Sequence, residues 1–361
     1  MKFTIQQQEF ARIVARASGA ADRKATMPIL GTIRLGADAG VTASATDLYI
    51  GTDATAQADV TEPGAACVTA KTLGDVVRAL PHGSVNVTYF KGALELRSGK
   101  SKYKLATIDA DDFPARETPD GAEWWAVPGA DLSSVLASSA FAASADETRP
   151  HLAAVLLESR GGRLRGVSTD GHRLAIASIA VDAPDARALV PSRAIAEIRR
   201  LSDVSESVDV AVVGDVIFAR ADGTTIGAKL AQDAFVPYEK VIPSKHAREV
   251  RILREDVMAA IKRVALLAAD KSTGIRVELG PGALTLRGVN ERGEAVEELS
   301  ADYAGKAWST GANARYLLDA LGAMRTEDVA VKCGDELAPM LIEQASSHDV
   351  EVMCIVMPMR I

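Results

Sequence analysis

The stretch Ser168–Ala175, STDGHRLA, brings a hydroxyl, a carboxylate, an imidazole and a guanidinium together within eight residues. It follows a strand-like run and contains an Asp-Gly pair, which is typical of a turn. Two other strand-to-turn segments resemble it: SATDLYI around Asp47 and GVNERGE around Asn290. The three segments are separated by 123 and 120 residues, a spacing that indicates an internal repeat.

Two further markers share this period. A proline near the end of each third recurs at steps of 123 and 121 residues, and an acidic residue in a helical segment recurs at steps of 122 and 122. The prolines are Pro114, Pro237 and Pro358, and the acidic residues are Asp75, Glu197 and Asp319. Because three independent markers agree, the chain is predicted to be a triplication of a unit the size of a small domain.

Each repeat contains two amphipathic helical patterns and several short strand patterns. The first helices carry apolar stripes such as Phe10, Ile13, Val14 and Ala17, and the second helices carry stripes such as Leu73, Val77 and Leu80. Segments such as GSVNVTYF alternate with period two, as strands do. We therefore predict an α+β fold in which each repeat packs two helices on one face of an antiparallel sheet of about half a dozen strands. The predicted domains are residues 1–120, 121–244 and 245–361.

Composition limits the classes of function. The chain has 361 residues, of which 48% are hydrophobic, and a net charge of −7, which argues against a surface that coats nucleic acid but permits a local basic face. It shows neither a long apolar run nor the apolar core of a signal peptide, so we expect a cytoplasmic protein without a membrane partner. Cys67, Cys333 and Cys354 form no CxxC pair, and no disulfide, metal site or cofactor is expected.

The polar cluster in STDGHRLA has two interpretations. In one, Asp170 and His172 belong to a hydrolase-type enzyme, although a nucleophile needs a base held by a third group and these two residues are only two apart. In the other, Asp170 caps backbone amides of a turn, Gly171 supplies an unusual backbone angle, and His172 and Arg173 pack at a surface. The residue pattern favours the turn without excluding the enzyme.

Four motifs spread along the chain carry a family resemblance. They are MKFTI at the start, MPILGTIRL at Met27–Leu35, TDGHRLA at Thr169–Ala175 and VMPMRI at Val356–Ile361. With these motifs the chain resembles the bacterial DNA polymerase III beta subunits, the sliding clamps. The resemblance implies three clamp domains in a head-to-tail dimeric ring that encircles duplex DNA, confers processivity on the replicative polymerase and has no catalytic residues. A clamp copy dedicated to repair or to a mobile element remains an alternative.

The same resemblance implies a groove that binds peptides from partner proteins. These partners would be the replicative polymerase catalytic subunit, the clamp loader, translesion polymerases, mismatch repair proteins and ligase. The matching groove residues are Leu152, Thr169, Gly171, His172, Arg173, Leu174, Pro237, Lys240, Val241, Pro339, Val356, Met357, Pro358, Met359 and Arg360. The chain departs from the family at FVPYEK (Phe235–Lys240) and at His151, where an aromatic residue is common, which leaves the shape of the groove open.

The resemblance also assigns residues that face DNA and residues at the ring seam. The residues expected to face DNA are Lys24, Lys71, Arg149 and Arg193, with Arg78, Arg199, Arg200 and Arg315 as possible additions. At the seam, Tyr103 and Leu105 of one copy would meet Leu266 and Leu267 of the next. Lys100 and Lys102 would pair there with Glu294, Glu297 and Glu298.

Overall fold

The computed structural model describes residues 1–22, 24, 26–268 and 273–360. Contacts divide the chain into two compact units. Unit 1 joins Met1–Leu132 to Arg193–Leu230, and unit 2 joins Ser133–Ser192 to Ala231–Ile361. Ile361, the last residue of the VMPMRI motif, lies outside the described residues.

The described residues form six α-helices, two in each repeat. They are α1 (Gln7–Ser18), α2 (Ala70–Ala79), α3 (Gly129–Ala140), α4 (Ser192–Ser202), α5 (Arg254–Val264) and α6 (Ala314–Ala323). Short 3-10 helices occur at Pro28–Gly31, Tyr238–Val241 and Ala265–Leu267. The starts of α2, α4 and α6 are 122 and 122 residues apart, as the sequence repeat requires.

The strands also follow the three repeats. The first repeat contains β1 (Lys2–Gln6), β2 (Thr32–Ala37), β3 (Val41–Thr46), β4 (Ile50–Ala56), β5 (Asp59–Glu62), β6 (Gly64–Thr69), β7 (Ser84–Phe90), β8 (Ala93–Ser98) and β9 (Ser101–Ile108). The second contains β10 (Trp125–Pro128), β11 (Ala154–Arg160), β12 (Arg163–Thr169), β13 (Arg173–Ala180), β14 (Ala186–Pro191), β15 (Ser207–Val213), β16 (Val216–Ala221) and β17 (Thr224–Lys229). The third contains β18 (Arg248–Leu253), β19 (Gly274–Gly280), β20 (Ala283–Asn290), β21 (Gly293–Ser300), β22 (Trp308–Asn313), β23 (Asp328–Cys333), β24 (Met340–Gln344) and β25 (Glu351–Val356).

Unit 1 is built on one sheet of thirteen strands in the order β10-β15-β16-β17-β4-β3-β2-β6-β9-β8-β7-β1-β5. Helix α1 packs on α2 and on β3 and β4, and its stripe of Phe10, Ile13 and Val14 is fully buried. Strand β4 of the first repeat pairs antiparallel with β17, the last strand of the second repeat. This joint therefore continues one sheet from one repeat into the next.

Unit 2 contains an eight-stranded sheet, β14-β11-β12-β13-β25-β24-β23-β18, and a four-stranded sheet, β21-β20-β19-β22. Strand β13 of the second repeat pairs antiparallel with β25, the last strand of the third. Helix α6 packs on α5 and begins after Asn313, whose side-chain oxygen accepts hydrogen bonds from the backbone N–H groups of Arg315 and Tyr316. No helix among the described residues is long and apolar enough to cross a membrane.

The predicted helices and alternating strands agree with the structure, but the predicted strand number was too low. Each repeat has eight or nine strands instead of about six. The strands without a signal include β5, with the polar sequence DVTE, and β10, which lie at the two ends of the thirteen-stranded sheet. Strand β5 buries little surface and so needs no apolar alternation, whereas β10, with the sequence WAVP, is too short and too uniformly apolar to show a period of two.

Candidate functional site

The segment Thr169–Arg173 forms a tight turn that its own side chains close. Asp170 Oδ1 accepts hydrogen bonds from the backbone N–H groups of His172 (2.9 Å) and Arg173 (3.0 Å). Thr169 Oγ1 donates to the Arg173 carbonyl at 2.6 Å and accepts from the Gly171 N–H at 3.1 Å. Gly171 has a φ of +91°, which favours glycine. The turn predicted from the sequence is present and leaves His172 exposed at the surface.

The side chain of Arg173 points into unit 2. Its guanidinium is ion-paired with Asp170 and with Asp319 of α6, and it donates to the Phe141 carbonyl at 2.9 Å. It also lies 4.5 Å from the centroid of the Tyr316 ring, on which His172 stacks at 6.4 Å. With 10% of the side chain exposed, Arg173 holds the turn against α6 and does not offer its charge to solvent. Arg173 is therefore partly buried, and its guanidinium makes its contacts within unit 2.

The end of β25 and the C-terminal tail lie beside this turn. The Met357 N–H donates to the His172 carbonyl at 2.9 Å, and the Met359 N–H donates to the Gly311 carbonyl at 2.9 Å. Val356 is 0% exposed, so the prediction that its side chain lines the groove is corrected. Because side chains alternate along a strand, its neighbour Ile355 faces the same apolar cluster as Leu174.

The segment Phe235–Val241 crosses this sheet face. Phe235 and Tyr238 are buried in a cluster with Leu174 and Ile355. Pro237, Lys240 and Val241, the predicted floor, are exposed on the outer side of the segment and form a rim instead. Burial, with a smaller contribution from the Glu158 carboxylate, raises the pKa of the Tyr238 hydroxyl, which donates to Glu158 Oε2 at 3.3 Å.

The remaining predicted groove residues lie around these elements. Leu152 is buried, and its N–H donates to the Arg149 carbonyl at 2.9 Å. Pro339, Met357, Pro358 and Met359 are partly buried, and Arg360 is exposed. The structure thus leaves proline, methionine and valine side chains at the surface, with Met357 bonded through its backbone to His172 and with Phe235 and Tyr238 in the apolar cluster of Leu174 and Ile355. Such a surface suits apolar side chains of a short peptide, because methionine adapts to different shapes.

A cavity of about 620 Å³ continues from the same sheet face. Ile176 and Met353, the next residues of β13 and β25 on the face that carries Leu174 and Ile355, line it together with Tyr238. Arg163 and Arg165 of β12 form its polar side, where Arg163 is ion-paired with Glu351.

The geometry around Asp170 offers no catalytic arrangement. Both carboxylate oxygens accept hydrogen bonds from the adjacent turn and from Arg173, and the Thr169 hydroxyl donates to a backbone carbonyl. The cysteines are equally unreactive: burial raises the pKa of Cys67 to about 11 and that of Cys333 to about 12, so these thiols are protonated at neutral pH. The described residues contain no cluster of metal-ligating side chains. The side chains of Thr169 and Asp170 are thus engaged in closing the turn, as the turn interpretation predicts.

The basic residues predicted to face DNA lie at helix starts and in loops. Lys71 is the second residue of α2 and Arg193 is the second residue of α4, whereas Lys24 and Arg149 lie in the loops that follow α1 and α3. All four are exposed. Arg193 is ion-paired with Asp47, and Arg149 lies 3.0 Å from Asp146.

The predicted seam residues lie on or beside two strands with unpaired edges. Lys102, Tyr103 and Leu105 are on β9, Glu294, Glu297 and Glu298 are on β21, and Leu266 and Leu267 are in the 3-10 helix Ala265–Leu267. Strand β9 pairs along its length with β8 but meets β6 only at Thr107 and Ile108. In the four-stranded sheet, β20 is the one strand of the described ranges that pairs with β21. Tyr103 and Leu266 are exposed, Leu266 to 78%, whereas Leu105 is buried and Leu267 is partly buried. The prediction of Leu105 as a surface contact is thus corrected.

Three of the charged seam residues have ion-pair partners within their own chain. Lys102 Nζ lies 3.0 Å from Glu95 Oε2, and Arg263 Nε lies 2.7 Å from Glu297 Oε1. Glu294 lies 3.4 Å from Arg287. Lys100 and Glu298 are exposed. Any pairing of these groups with another copy competes with the internal ion pairs.

Sequence reasoning missed several residues of the site. Tyr316 and Asp319 on α6 hold His172 and Arg173, yet they are 144 and 146 residues away from them in sequence. No local pattern connects such distant residues. Ile355 could have been found, because period-two alternation from Met357 selects Ile355 and not Val356 for the same face.

Three family models match consecutive parts of the chain. They describe the N-terminal domain (residues 1–117), the central domain (residues 126–237) and the C-terminal domain (residues 239–360) of the DNA polymerase III beta subunit.

Individual relatives match over their whole length. The chain is 32% identical to the beta sliding clamp of Pseudomonas putida and 33% identical to that of Caulobacter vibrioides, in each case with 100% of both chains covered. The solved DNA polymerase III subunit beta sliding clamp from Pseudomonas aeruginosa, in a complex with griselimycin, matches with a TM-score of 0.95 at 31% identity over 100% of both chains. The chain therefore belongs to the bacterial beta sliding clamp family, which confirms the predicted fold class of three clamp domains and the predicted function as a non-catalytic processivity factor.

Proposed function

We propose that two copies of this clamp close head to tail into a ring around duplex DNA. We further propose that partner proteins bind through short peptides in the groove between the Thr169–Arg173 turn, Phe235–Val241 and the C-terminal tail. The domain boundaries 1–120, 121–244 and 245–361 remain part of this proposal, and the three family-model matches support them.

The main support for the ring is a strand pairing between successive repeats. The last strand of one repeat pairs with a strand from the middle of the preceding repeat's sequence. This joint occurs twice in the chain, as β17 on β4 and as β25 on β13. The corresponding strand of the third repeat is β21, and it has no such partner among the described residues. The last strand of the first repeat, β9, has a largely unpaired edge. If β9 of a second copy pairs with β21 of the first, the same kind of joint continues from one copy to the next. When β9 of each copy pairs with β21 of the other, the two copies close a ring.

The side chains on these two edges support this pairing. Strand β9 carries Lys102 and Lys104, whereas β21 carries Glu294, Glu297 and Glu298. Opposite charges on facing strands favour one register and disfavour the pairing of either strand with itself. Exposed Leu266 and Val296 lie in or beside the four-stranded sheet and supply apolar surface for the contact.

The positions of the basic residues support contact with DNA. The second residue of α2, α4 and α6 is in each case basic, namely Lys71, Arg193 and Arg315. A helix dipole disfavours a cation at this end by about 0.3–1 kcal/mol, so folding alone does not account for a basic residue in all three repeats. Exposed cations that contact phosphates without reading bases permit a ring to slide.

The groove supports binding of peptides from several partners. The proposed groove includes Met357, Met359 and Val241 at the surface, with His172 exposed on the turn, and the cavity lined by Tyr238 extends it. We propose the replicative polymerase catalytic subunit, the clamp loader, translesion polymerases, mismatch repair proteins and ligase as the peptide donors, in the cytoplasm where bacterial DNA lies. The altered FVPYEK segment keeps Phe235 and Tyr238 buried, so it still provides an apolar base for the groove.

Retention on DNA of different topology tests the ring. After loading by the cognate clamp loader onto nicked circular DNA, the protein should remain bound in high salt, because encirclement does not depend on phosphate contacts. Cutting the circle once should release it. Equal loss from the circular and the linear DNA would contradict encirclement, and a monomer in solution would remove the ring from the proposal.

A further inference from the structure

The turn Thr46–Ile50 of unit 1 repeats the hydrogen bonds of the groove turn. Asp47 Oδ1 accepts from the N–H groups of Tyr49 (2.9 Å) and Ile50 (2.6 Å), as Asp170 does for His172 and Arg173. Thr46 Oγ1 donates to the Ile50 carbonyl at 2.9 Å and accepts from the Leu48 N–H at 3.0 Å. Tyr49 therefore corresponds to His172, and Leu48 corresponds to Gly171.

The strand beside this turn is also equivalent. The Lys229 N–H donates to the Tyr49 carbonyl at 2.9 Å, the same bond that joins Met357 to His172 at 2.9 Å. In the β4·β17 ladder Ile50 is opposite Ala228, as Arg173 is opposite Val356 in the β13·β25 ladder. Lys229 thus occupies the position of Met357, so unit 1 contains a second site with the backbone of the peptide groove.

The side chains give this second site its own shape. Gly51 and Gly227 are paired where the groove has Leu174 and Ile355. The Phe218 ring fills the space above Gly227, where an added Cβ would lie 2.8 Å from Phe218 Cε1, and the Arg116 side chain lies across Gly51. A cavity of about 410 Å³ remains, lined by Leu48, Tyr49, Phe218 and Lys229 among others.

Two features of this cavity point to a ligand that is apolar and acidic. Leu48 and Tyr49 are 45% and 70% exposed, and Leu48 keeps a φ of +79°, a conformation unfavourable for a leucine. An apolar side chain held there at a conformational cost, where the groove turn uses glycine, indicates a role in binding. In addition, no carboxylate among the described residues pairs with Lys229, whereas Arg116 is already ion-paired with Asp53.

We propose that this second groove, formed by the Thr46–Ile50 turn, Phe218 and Lys229, binds a short extended peptide that carries an aromatic or aliphatic side chain next to a carboxylate. The ligand class rests on the proposed peptide binding by the first groove, but the two sites share no residue. Phe218 and Tyr49 would contact the apolar side chain, and the Lys229 ammonium would pair with the carboxylate.

Photo-cross-linking of the full chain can locate the bound peptide. The probes are Gln-Asp-Leu-Phe-Asp and Gln-Lys-Leu-Phe-Lys, each with an N-terminal benzophenone, and the labelled segments are identified by mass spectrometry. We expect the acidic probe to label segments around Thr46–Gly51 and Val216–Lys229, about threefold more than the basic probe does, as expected for one solvent-exposed charge pair. This labelling should persist when Met359–Ile361 are deleted to weaken the first groove.

Three variants make the test specific. Lys229→Glu should reverse the preference between the two probes, whereas Lys91→Glu, an equal charge change on the exposed β7–β8 turn, should not. Leu48→Gly relieves the unfavourable φ, so it should keep the fold and lower labelling. Labelling confined to the first groove would overturn this inference and leave the proposed function intact, and labelling at neither site would overturn both.

Discussion

Arg173 of β13 and Asp319 of α6 form an ion pair that connects the groove turn to a helix of the next repeat. Asp319 is the third member of the acidic series that marks the repeat, and its counterparts pair differently. Asp75 pairs with Arg78, and Glu197 pairs with Arg200, each within its own helix. Of these three positions, Asp319 alone carries an ion pair to another element, β13, beside the proposed peptide groove.

Asp319→Asn should destabilise the protein by about 1–3 kcal/mol, because it removes a charged partner from a guanidinium that is almost fully buried. Asp75→Asn is the matched control: it breaks an exposed pair at the equivalent position and should cost less than about 0.5 kcal/mol. Thermal melts of both variants compare the two effects. Equal shifts would show that the Arg173–Asp319 pair contributes no more than a surface pair.

Deletion of Met359–Ile361 should weaken binding of a peptide that contains Gln and Leu-Phe by about 30-fold to 1000-fold, which corresponds to roughly 2–4 kcal/mol of lost anchor contacts. The deletion also removes the hydrogen bond from Met359 to Gly311, but it spares the β13·β25 ladder. The fold should therefore persist. Fluorescence anisotropy measures the affinity, with melts and sizing as controls. Unchanged affinity in a folded truncation would refute the groove assignment.

Leu266→Lys together with Leu267→Lys should convert the proposed dimer to folded monomers. The new charges would face the lysines of β9 and be buried at an apolar contact, which costs several kcal/mol. Leu337→Lys, at another exposed leucine of unit 2, should leave the dimer intact. Light scattering at micromolar concentration distinguishes the two results. A dimer that survives the double change would locate the seam on other residues.

Glu197 should make the stability of unit 1 depend on pH. Burial raises the pKa of its carboxyl above the ordinary value. At a pH between the ordinary and the raised pKa, the native state therefore binds more protons than the unfolded chain does. The stabilisation from this protonated carboxyl is fully present below the ordinary pKa, and it is lost as pH rises through the raised pKa. As pH rises through this range, the melting temperature of the wild type should therefore fall relative to that of Glu197→Gln. A constant difference across that range would contradict this assignment.

The sequence predicted the groove turn well, because its cause is local. Asp170 and Thr169 bond to backbone groups two to four residues away, and Gly171 adopts a glycine conformation. It predicted the direction of side chains less well. Arg173 and Val356 are opposite one another in the ladder, Val356 buried and Arg173 partly buried, and this follows from the pairing of β13 with β25.

What the sequence determined by itself was the triplication, the helix stripes and, through its motifs, the family, since these follow from the order and spacing of residues along one chain. Only the tertiary structure decided that Tyr316 and Asp319 hold the groove turn, that Phe235 and Tyr238 lie under the exposed Pro237 and Val241, and that unit 1 repeats the groove around Tyr49 and Lys229. The reason is physical: these contacts join residues that are far apart in sequence. Strand pairing and burial bring such residues together, and short-range patterns do not record which distant side chains meet.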